Sequence, residues 1–139
     1  MNNITTKNLM IGDWMMYRGE PIIVFEIDEY YDRINTEPDG YDSIRCINLS
    51  DLQPIPLTVE ILRKNGFIIK KKWAQIGNFG DNPLIMWHFV DDPILGDYNT
   101  ELEIHQNDTD KVHIHIPCKY VHELQHVLRL CGIDKEITL

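Results

Sequence analysis

The sequence predicts an α+β fold: an N-terminal SH3-like small β-barrel, a short linking helix, then an antiparallel β-sheet packed by a C-terminal helix. Three observations carry this prediction. Short β-branched segments separated by glycine and proline turns occupy residues 1–56. Apolar and polar residues alternate over residues 101–117, as they do in a half-buried hairpin. An apolar repeat of helical period follows from Tyr120 to Cys131.

The length and composition are those of a folded protein of one or two small domains. Of the 139 residues, 43% are hydrophobic and 25% are charged, and a chain of this size buries a core without a disulfide or metal. We predict an SH3-like module at 1–56 and a helix, sheet and helix at 57–139, with one continuous domain as the alternative. No apolar run reaches the roughly 18 residues that span a bilayer, and residues 1–7 lack the layout of a secretory signal.

The charge predicts which partners the protein avoids. Lysine and arginine number 13 against 22 acidic residues, for a net charge of −9, which repels nucleic-acid phosphates and anionic lipid. The exception is a basic segment of five side chains: Arg63, Lys64, Lys70, Lys71 and Lys72. A phosphate-contacting patch is one interpretation. We favour a cationic helix end followed by an edge strand guarded by lysines.

The N-terminal module is predicted to contain three or four short strands with tight turns. We place them at residues 14–17, 21–27, 44–47 and, as a fourth, 49–52. Gly19 supplies the turn of the first hairpin. The polar stretch 28–43 contains a turn signature at 37–40 and is predicted to reverse the chain without contributing to the core.

The second part begins with a short helix whose ends are marked in the sequence. Thr58 is a suitable N-cap for a helix over Val59–Lys64, and Asn65-Gly66 a suitable C-terminal cap. Strands are predicted at 68–76 and 84–90, the latter covered on both faces because nearly all of it is apolar. His88 within it is interpreted as a packed ring with one hydrogen bond.

The hairpin at 101–117 has a register that separates apolar from polar positions. Pairing residues whose numbers sum to 218 puts Leu102 opposite Ile116. On the other face the polar positions are Glu101, Glu103, His105, His113 and His115, with Glu103 opposite His115 and His105 opposite His113. These side chains are candidates for a metal site. We favour a solvated polar face, because the set lacks the compact spacing of a structural zinc site.

A C-terminal helix is predicted from near Cys118 to Gly132. One face is apolar, with Tyr120, Val121, Leu124, Val127, Leu128 and Cys131. The opposite face is polar and predicted to look into water, with His122, Gln125, His126 and Arg129.

The helix contains an H-E-x-x-H match at residues 122–126, called the HExxH segment below. If the chain were a zinc hydrolase, His122 and His126 would bind the metal, and Glu123 would activate the metal-bound water. A third ligand is missing from the continuation, where Arg129 and Gly132 replace the residues of a longer motif. We therefore predict no catalytic residue, no metal and no cofactor, with zinc hydrolase as the alternative.

The three cysteines indicate a reducing compartment. Cys46, Cys118 and Cys131 form neither a disulfide framework nor a zinc ribbon. A cytoplasmic location is expected.

Three segments resemble a group of short uncharacterised proteins encoded in gut-bacterial genomes and in phage or mobile-element neighbourhoods. They are residues 11–14, 54–62 and 117–126. The resemblance implies a small cytosolic α+β protein, without a catalytic residue or cofactor to transfer.

The function predicted from these observations is a non-enzymatic interaction or structural module. Its partner is expected to be an unidentified protein or a second copy of the chain, with no membrane partner. The alternatives are a zinc-dependent hydrolase and a nucleic-acid-binding accessory protein, the latter opposed by the net charge.

Overall fold

The computed structural model describes residues 4–36, 45–71, 73–77, 84–88, 101–105 and 113–139. It is an α+β structure with antiparallel sheets and two α-helices. Two compact units are present, residues 1–56 with 120–128 and residues 57–119 with 129–139. Residues 120–128 group with the first unit, although they follow most of the second unit in sequence. No helix in the described ranges is long and apolar enough to cross a bilayer.

The first unit contains two three-stranded antiparallel sheets. Its strands are β1 (Trp14–Tyr17), β2 (Glu20–Ile23), β3 (Glu26–Asp28), β4 (Arg33–Thr36), β5 (Arg45–Asn48) and β6 (Leu52–Pro54). The sheet orders are β2-β1-β6 and β3-β4-β5. The described strands form no closed barrel, so the SH3-like barrel stays a prediction.

The β1–β2 hairpin confirms the predicted glycine turn. Arg18 and Gly19 have φ angles of 51° and 81°, the left-handed pair that matches the twist of a two-residue hairpin. The single strand predicted over 21–27 is divided in two. Val24 pairs through its backbone with Gly12 and Asp13, whereas the N–H of Phe25 donates to Asn35, so the extended chain changes partner between β2 and β3.

The core of the first unit includes a strand that the sequence analysis missed. Its buried apolar residues are Leu9, Met15, Val24, Ile34, Ile47, Leu49 and Leu52. The prediction that 28–43 contributes nothing to the core is wrong for β4, where Ile34 and Thr36 are buried. Arg33 and Asn35 alternate with them and hide the strand in a polar composition. The turn predicted at 37–40 lies outside the described residues.

The second unit is built on a five-stranded antiparallel sheet. Its elements are α1 (Val59–Lys64), β7 (Ile68–Ile69), β8 (Trp73–Ile76), β9 (Leu84–His88), β10 (Glu101–His105) and β11 (His113–Pro117). The strand order is β11-β10-β9-β8-β7. The helix α1 has the predicted bounds, and Thr58 Oγ1 accepts a hydrogen bond from the Ile61 N–H. Gly66 supplies the left-handed cap, with φ 80°.

Two further predictions for this unit are confirmed. The β10–β11 register pairs Leu102 with Ile116 and Glu103 with His115, as predicted. In β9 the first four residues are buried, as expected of a strand covered on both faces. The alternation and the continuous apolar run predicted these features because both strand faces have a defined environment.

The described residues of the basic segment lie at a helix end and beside an edge strand, as we predicted. Arg63 and Lys64 form the last turn of α1. Lys70 and Lys71 are exposed beside β7, an edge strand of the described sheet. Lys72 lies outside the described residues.

The C-terminal helix, α2 (Val121–Leu130), begins three residues later than predicted. The carbonyl of Lys119 accepts a hydrogen bond from Leu57, and Tyr120 forms a β-bridge with Pro56, which keeps the chain extended up to that point. The buried apolar residues Val121, Leu124, Val127 and Leu128 confirm the predicted apolar face. Cys131 lies beyond the helix end, so its assignment to that face is wrong.

Candidate functional site

The polar face of α2 is not the solvent-facing surface that the sequence predicts. His122 and Gln125 are each only 5% exposed, and the His126 side chain is 22% exposed. Only Arg129 is exposed, as predicted. A helical wheel records polarity but not the presence of polar partners. Here the partners come from the loop at residues 10–14 of the same unit, called the 10–14 loop below.

Gln125 joins α2 to the backbone of the 10–14 loop. Its Oε1 accepts a hydrogen bond from the Trp14 N–H at 2.9 Å, and its Nε2 donates to the Gly12 carbonyl at 2.9 Å. The buried amide thus satisfies two backbone groups and its own donor and acceptor at once. This contact is structural in character.

Asp13 and His126 form a second link between the same elements. The Asp13 side chain is fully buried, and its Oδ2 lies 2.7 Å from His126 Nε2. The same oxygen accepts a hydrogen bond from the Met10 N–H at 2.7 Å. A buried carboxylate needs such partners, because its desolvation is otherwise unfavourable. The pair therefore fixes both the loop and its position on the helix.

Glu123, the base in the zinc hydrolase alternative, caps its own helix. Its Oε2 accepts a hydrogen bond from the Tyr120 N–H at 3.1 Å. A glutamate at the third helical position commonly makes this contact, and its charge favours the helix N-terminus. The conventional capping role thus accounts for the glutamate of the motif.

His122 is the member of the HExxH segment whose polar requirement is least satisfied. Its ring stacks on Tyr120 with centroids 5.9 Å apart, and it meets the His126 ring edge-on at 5.7 Å. Within the described part of the chain, its Nδ1 is buried without a hydrogen-bond partner. Burial lowers the pKa of the His122 imidazole. Asp13 and Glu123 oppose this shift, and His126 adds to it.

We expect acidification to destabilise the protein through His122. Because its pKa is lowered in the folded state, the unfolded chain binds more protons as the pH falls through the ordinary value of 6.5. The unfolding free energy therefore decreases, by at most about 1.4 kcal/mol per pH unit for one group. Urea unfolding at several pH values from about 8 to about 5, a range that spans the ordinary histidine pKa, measures this slope.

The control for this prediction is His122→Gln, which does not titrate and replaces the imidazole with a neutral polar amide. Asp13, Glu123 and His126 face position 122 in both proteins, so the difference between the two slopes isolates the imidazole. Equal slopes would show that burial of His122 does not govern its protonation.

Asp13 is the functional-site residue that sequence reasoning missed. It brings a carboxylate to the two histidines of the HExxH segment from a position 113 residues before His126. Even so, no three His, Cys, Asp or Glu side chains in the described residues are placed to hold a metal ion. The prediction of solvent exposure is wrong for His122, which is buried, whereas His126 keeps 22% of its side chain exposed and makes a part-buried contact with Asp13.

A second polar cluster lies on the sheet of the other unit. Glu103 Oε2 is 2.8 Å from His88 Nε2, and Glu103 Oε1 is 2.9 Å from His105 Nε2. The expectation that His88 is a packed ring with one hydrogen bond agrees with this contact and with Trp73 beside it. His113 and His115 occupy the predicted register positions, but their side chains lie outside the described part of the structure.

The three cysteines are free. Cys46 is exposed, Cys118 is buried and Cys131 is half-buried. Burial raises the pKa of the Cys131 thiol, which disfavours the reactive thiolate.

Comparison with known proteins identifies no relative for this chain. No protein family, no curated protein and no solved structure matches it. The resemblance described from the sequence therefore stays an expectation, and the function is argued from the contacts of the HExxH segment.

Proposed function

We propose that the protein is a non-enzymatic interaction module in which the HExxH segment holds the 10–14 loop in place. The observation that carries this proposal is that three polar side chains of the segment bond to the protein itself. Glu123 caps α2, Gln125 bonds to the loop backbone, and His126 contacts Asp13. The polar face of α2 therefore holds the helix and the 10–14 loop together within one unit.

These contacts oppose a hydrolytic role on chemical grounds. In a zinc hydrolase the glutamate must reach a metal-bound water, and both imidazoles must direct a nitrogen at the metal. Glu123 instead accepts from the Tyr120 N–H, and His126 Nε2 is occupied by Asp13. Metal binding would require both contacts to rearrange.

A zinc hydrolase is retained as the second candidate because of one specific observation. Asp13 lies against His126, and His122 retains a buried Nδ1 with no partner in the described residues. Two histidines and a carboxylate are a ligand set that catalytic zinc accepts. In that case His122 and His126 would bind the metal and Glu123 would act as base, and Asp13 would have to move to complete the ligand set, since no three such side chains in the described residues are placed to hold an ion.

The remaining expectations belong to the same proposal. The short antiparallel strands of the first unit support an SH3-like module, and the three free cysteines support a cytoplasmic location. A phage or mobile-element origin rests on the sequence resemblance alone. A nucleic-acid-binding role has only the exposed lysines beside β7 in its favour, and the net charge of −9 opposes it.

The zinc content of protein purified without chelator separates the two candidates. We expect no stoichiometric zinc in the unaltered chain, because Glu123 and His126 already contact Tyr120 and Asp13 and no three candidate ligands in the described residues are placed to hold an ion. One zinc per chain that is lost in His126→Ala, but retained in the exposed control Arg129→Ala, would establish the metal site and overturn the proposal.

A further inference from the structure

The first unit exposes a group of apolar side chains that its core does not use. Met10, Ile11, Ile23 and Phe25, called the apolar patch below, are exposed by 40%, 63%, 41% and 45%. Scattered exposed apolar residues are normal on a protein surface, but neighbouring ones mark interaction sites. These four residues are neighbours if residues 10–12 lie beside residues 23–25.

Backbone hydrogen bonds bring the two halves of the apolar patch together. The Gly12 N–H donates to the Val24 carbonyl at 2.6 Å, and the Val24 N–H donates to the Asp13 carbonyl at 2.9 Å. Val24 is fully buried, so in an extended chain Ile23 and Phe25 project away from the core. Residues 10–12 lie alongside them.

The 10–14 loop that carries half of the patch is held by side-chain contacts from α2. Gln125 and the Asp13–His126 pair fix its backbone to α2. A surface held in one conformation before binding loses less entropy when a partner docks. The contacts of Gln125 and of the Asp13–His126 pair therefore favour binding of a partner at the apolar patch.

The charge of the chain segment that contains the apolar patch indicates the chemistry of the partner. Between residues 10 and 35 the carboxylates are Asp13, Glu20, Glu26, Asp28, Glu29 and Asp32, against two arginines. Asp13 is buried, whereas Glu20, Glu26, Glu29 and Asp32 are exposed. An apolar surface on an acidic chain segment complements a partner segment that is apolar and cationic.

A second copy of the chain is a poorer occupant. Two chains of net charge −9 that met through this surface would bring like charges together, which opposes association.

The tyrosines Tyr30 and Tyr31, exposed by 85% and 60% just beyond β3, extend the exposed aromatic surface of the same unit. Tyrosine is enriched at sites that bind other proteins.

From these observations we propose that the apolar patch binds a protein segment with apolar side chains flanked by lysine or arginine. This deepens the proposed function, on which it rests, by naming the chemistry of the partner. Apolar contacts supply most of the affinity, and the carboxylates supply orientation and a dependence on salt.

A synthetic amphipathic peptide of leucine and lysine, labelled for fluorescence anisotropy, is the probe for this proposal. We expect binding that weakens as salt is added, and no binding of matched peptides with glutamate for lysine or serine for leucine. Replacing both Ile11 and Phe25 with Ser is expected to weaken binding by about tenfold or more.

The control variant is Leu130→Ser, which removes a side chain that is 80% exposed elsewhere on the chain. It is expected to bind the peptide as the unaltered protein does. The proposal is overturned if the lysine peptide does not bind, if the Ile11 and Phe25 changes leave binding unaltered, or if the serine peptide binds equally well.

Sedimentation of the protein alone tests the competing occupant. A dimer that dissociates in the Ile11→Ser, Phe25→Ser variant would assign the surface to self-association and overturn the cationic partner. The zinc measurement is independent of all these outcomes. A metal-free chain that binds no peptide contradicts only this inference, whereas stoichiometric zinc contradicts the proposed function.

Discussion

Replacing Asp13 with alanine is expected to lower the free energy of unfolding by about 3 to 4 kcal/mol. The substitution removes the buried acceptor of the Met10 N–H and leaves His126 Nε2 without its carboxylate. Removing one side of a part-buried polar contact is costly because the groups that remain lose their partner without becoming fully solvated. Urea unfolding followed by circular dichroism at neutral pH measures the change.

Two variants test whether this effect arises from the buried contact. Asp13→Asn keeps an oxygen for the Met10 N–H and is expected to cost less, about 1 to 2 kcal/mol. Asp134→Ala removes an exposed carboxylate and is expected to change stability by less than about 0.5 kcal/mol. If Asp13→Ala were as harmless as Asp134→Ala, the carboxylate would have no structural role.

The second large effect is expected at Trp87, where alanine should lower the unfolding free energy by about 4 kcal/mol. The Trp87 side chain is 3% exposed in β9, and its indole N–H donates to the Cys118 carbonyl at 2.8 Å. The substitution therefore creates a cavity and also removes the hydrogen bond that the indole donates to the Cys118 carbonyl. The same unfolding measurement reports the loss.

Phenylalanine at position 87 separates these two contributions. Trp87→Phe keeps an aromatic ring but loses the donor, and is expected to cost about 1 to 2 kcal/mol. Ile68→Ala, at a side chain that is 47% exposed in the same sheet, is the control and should have little effect. A cost for Trp87→Phe equal to that for alanine would mean that the hydrogen bond, rather than packing, dominates.

The features predicted correctly from the sequence are those fixed by local chemistry. Thr58 and Gly66 mark the ends of α1 because capping depends on a few neighbouring residues. The β10–β11 register was predictable because the pairing places Leu102 and Ile104 with apolar residues of β11, whereas a slip of one residue would set Ile104 opposite a histidine. Both predictions needed no knowledge of distant segments.

The features missed depend on contacts that are distant in sequence. The polar face of α2 was assigned to water because its partner Asp13 lies 113 residues from His126. The division between β2 and β3 was missed for a similar reason, since it follows from Val24 pairing with residues 12 and 13. β4 was hidden because two of its four side chains are polar and exposed or half-buried.

This distinction also explains why the HExxH segment suggested a metal site. Its spacing on a helix is what zinc requires, and the spacing is real in α2. What the spacing leaves open is the partner of each side chain. Those partners are Tyr120 for Glu123 and Asp13 for His126.

Urea unfolding with excess zinc and with excess chelator, for the unaltered chain and for His126→Ala, tests the structural role of the HExxH segment most directly. A ligand that binds only the folded state raises its stability, so a metal site would make the unfolding free energy depend on zinc. If the HExxH segment has a structural role, the unaltered chain has the same unfolding free energy in both solutions. The unfolding free energy of His126→Ala is then lower by the same amount in each. A stability that falls on chelation, with the difference between the two proteins vanishing there, would contradict it.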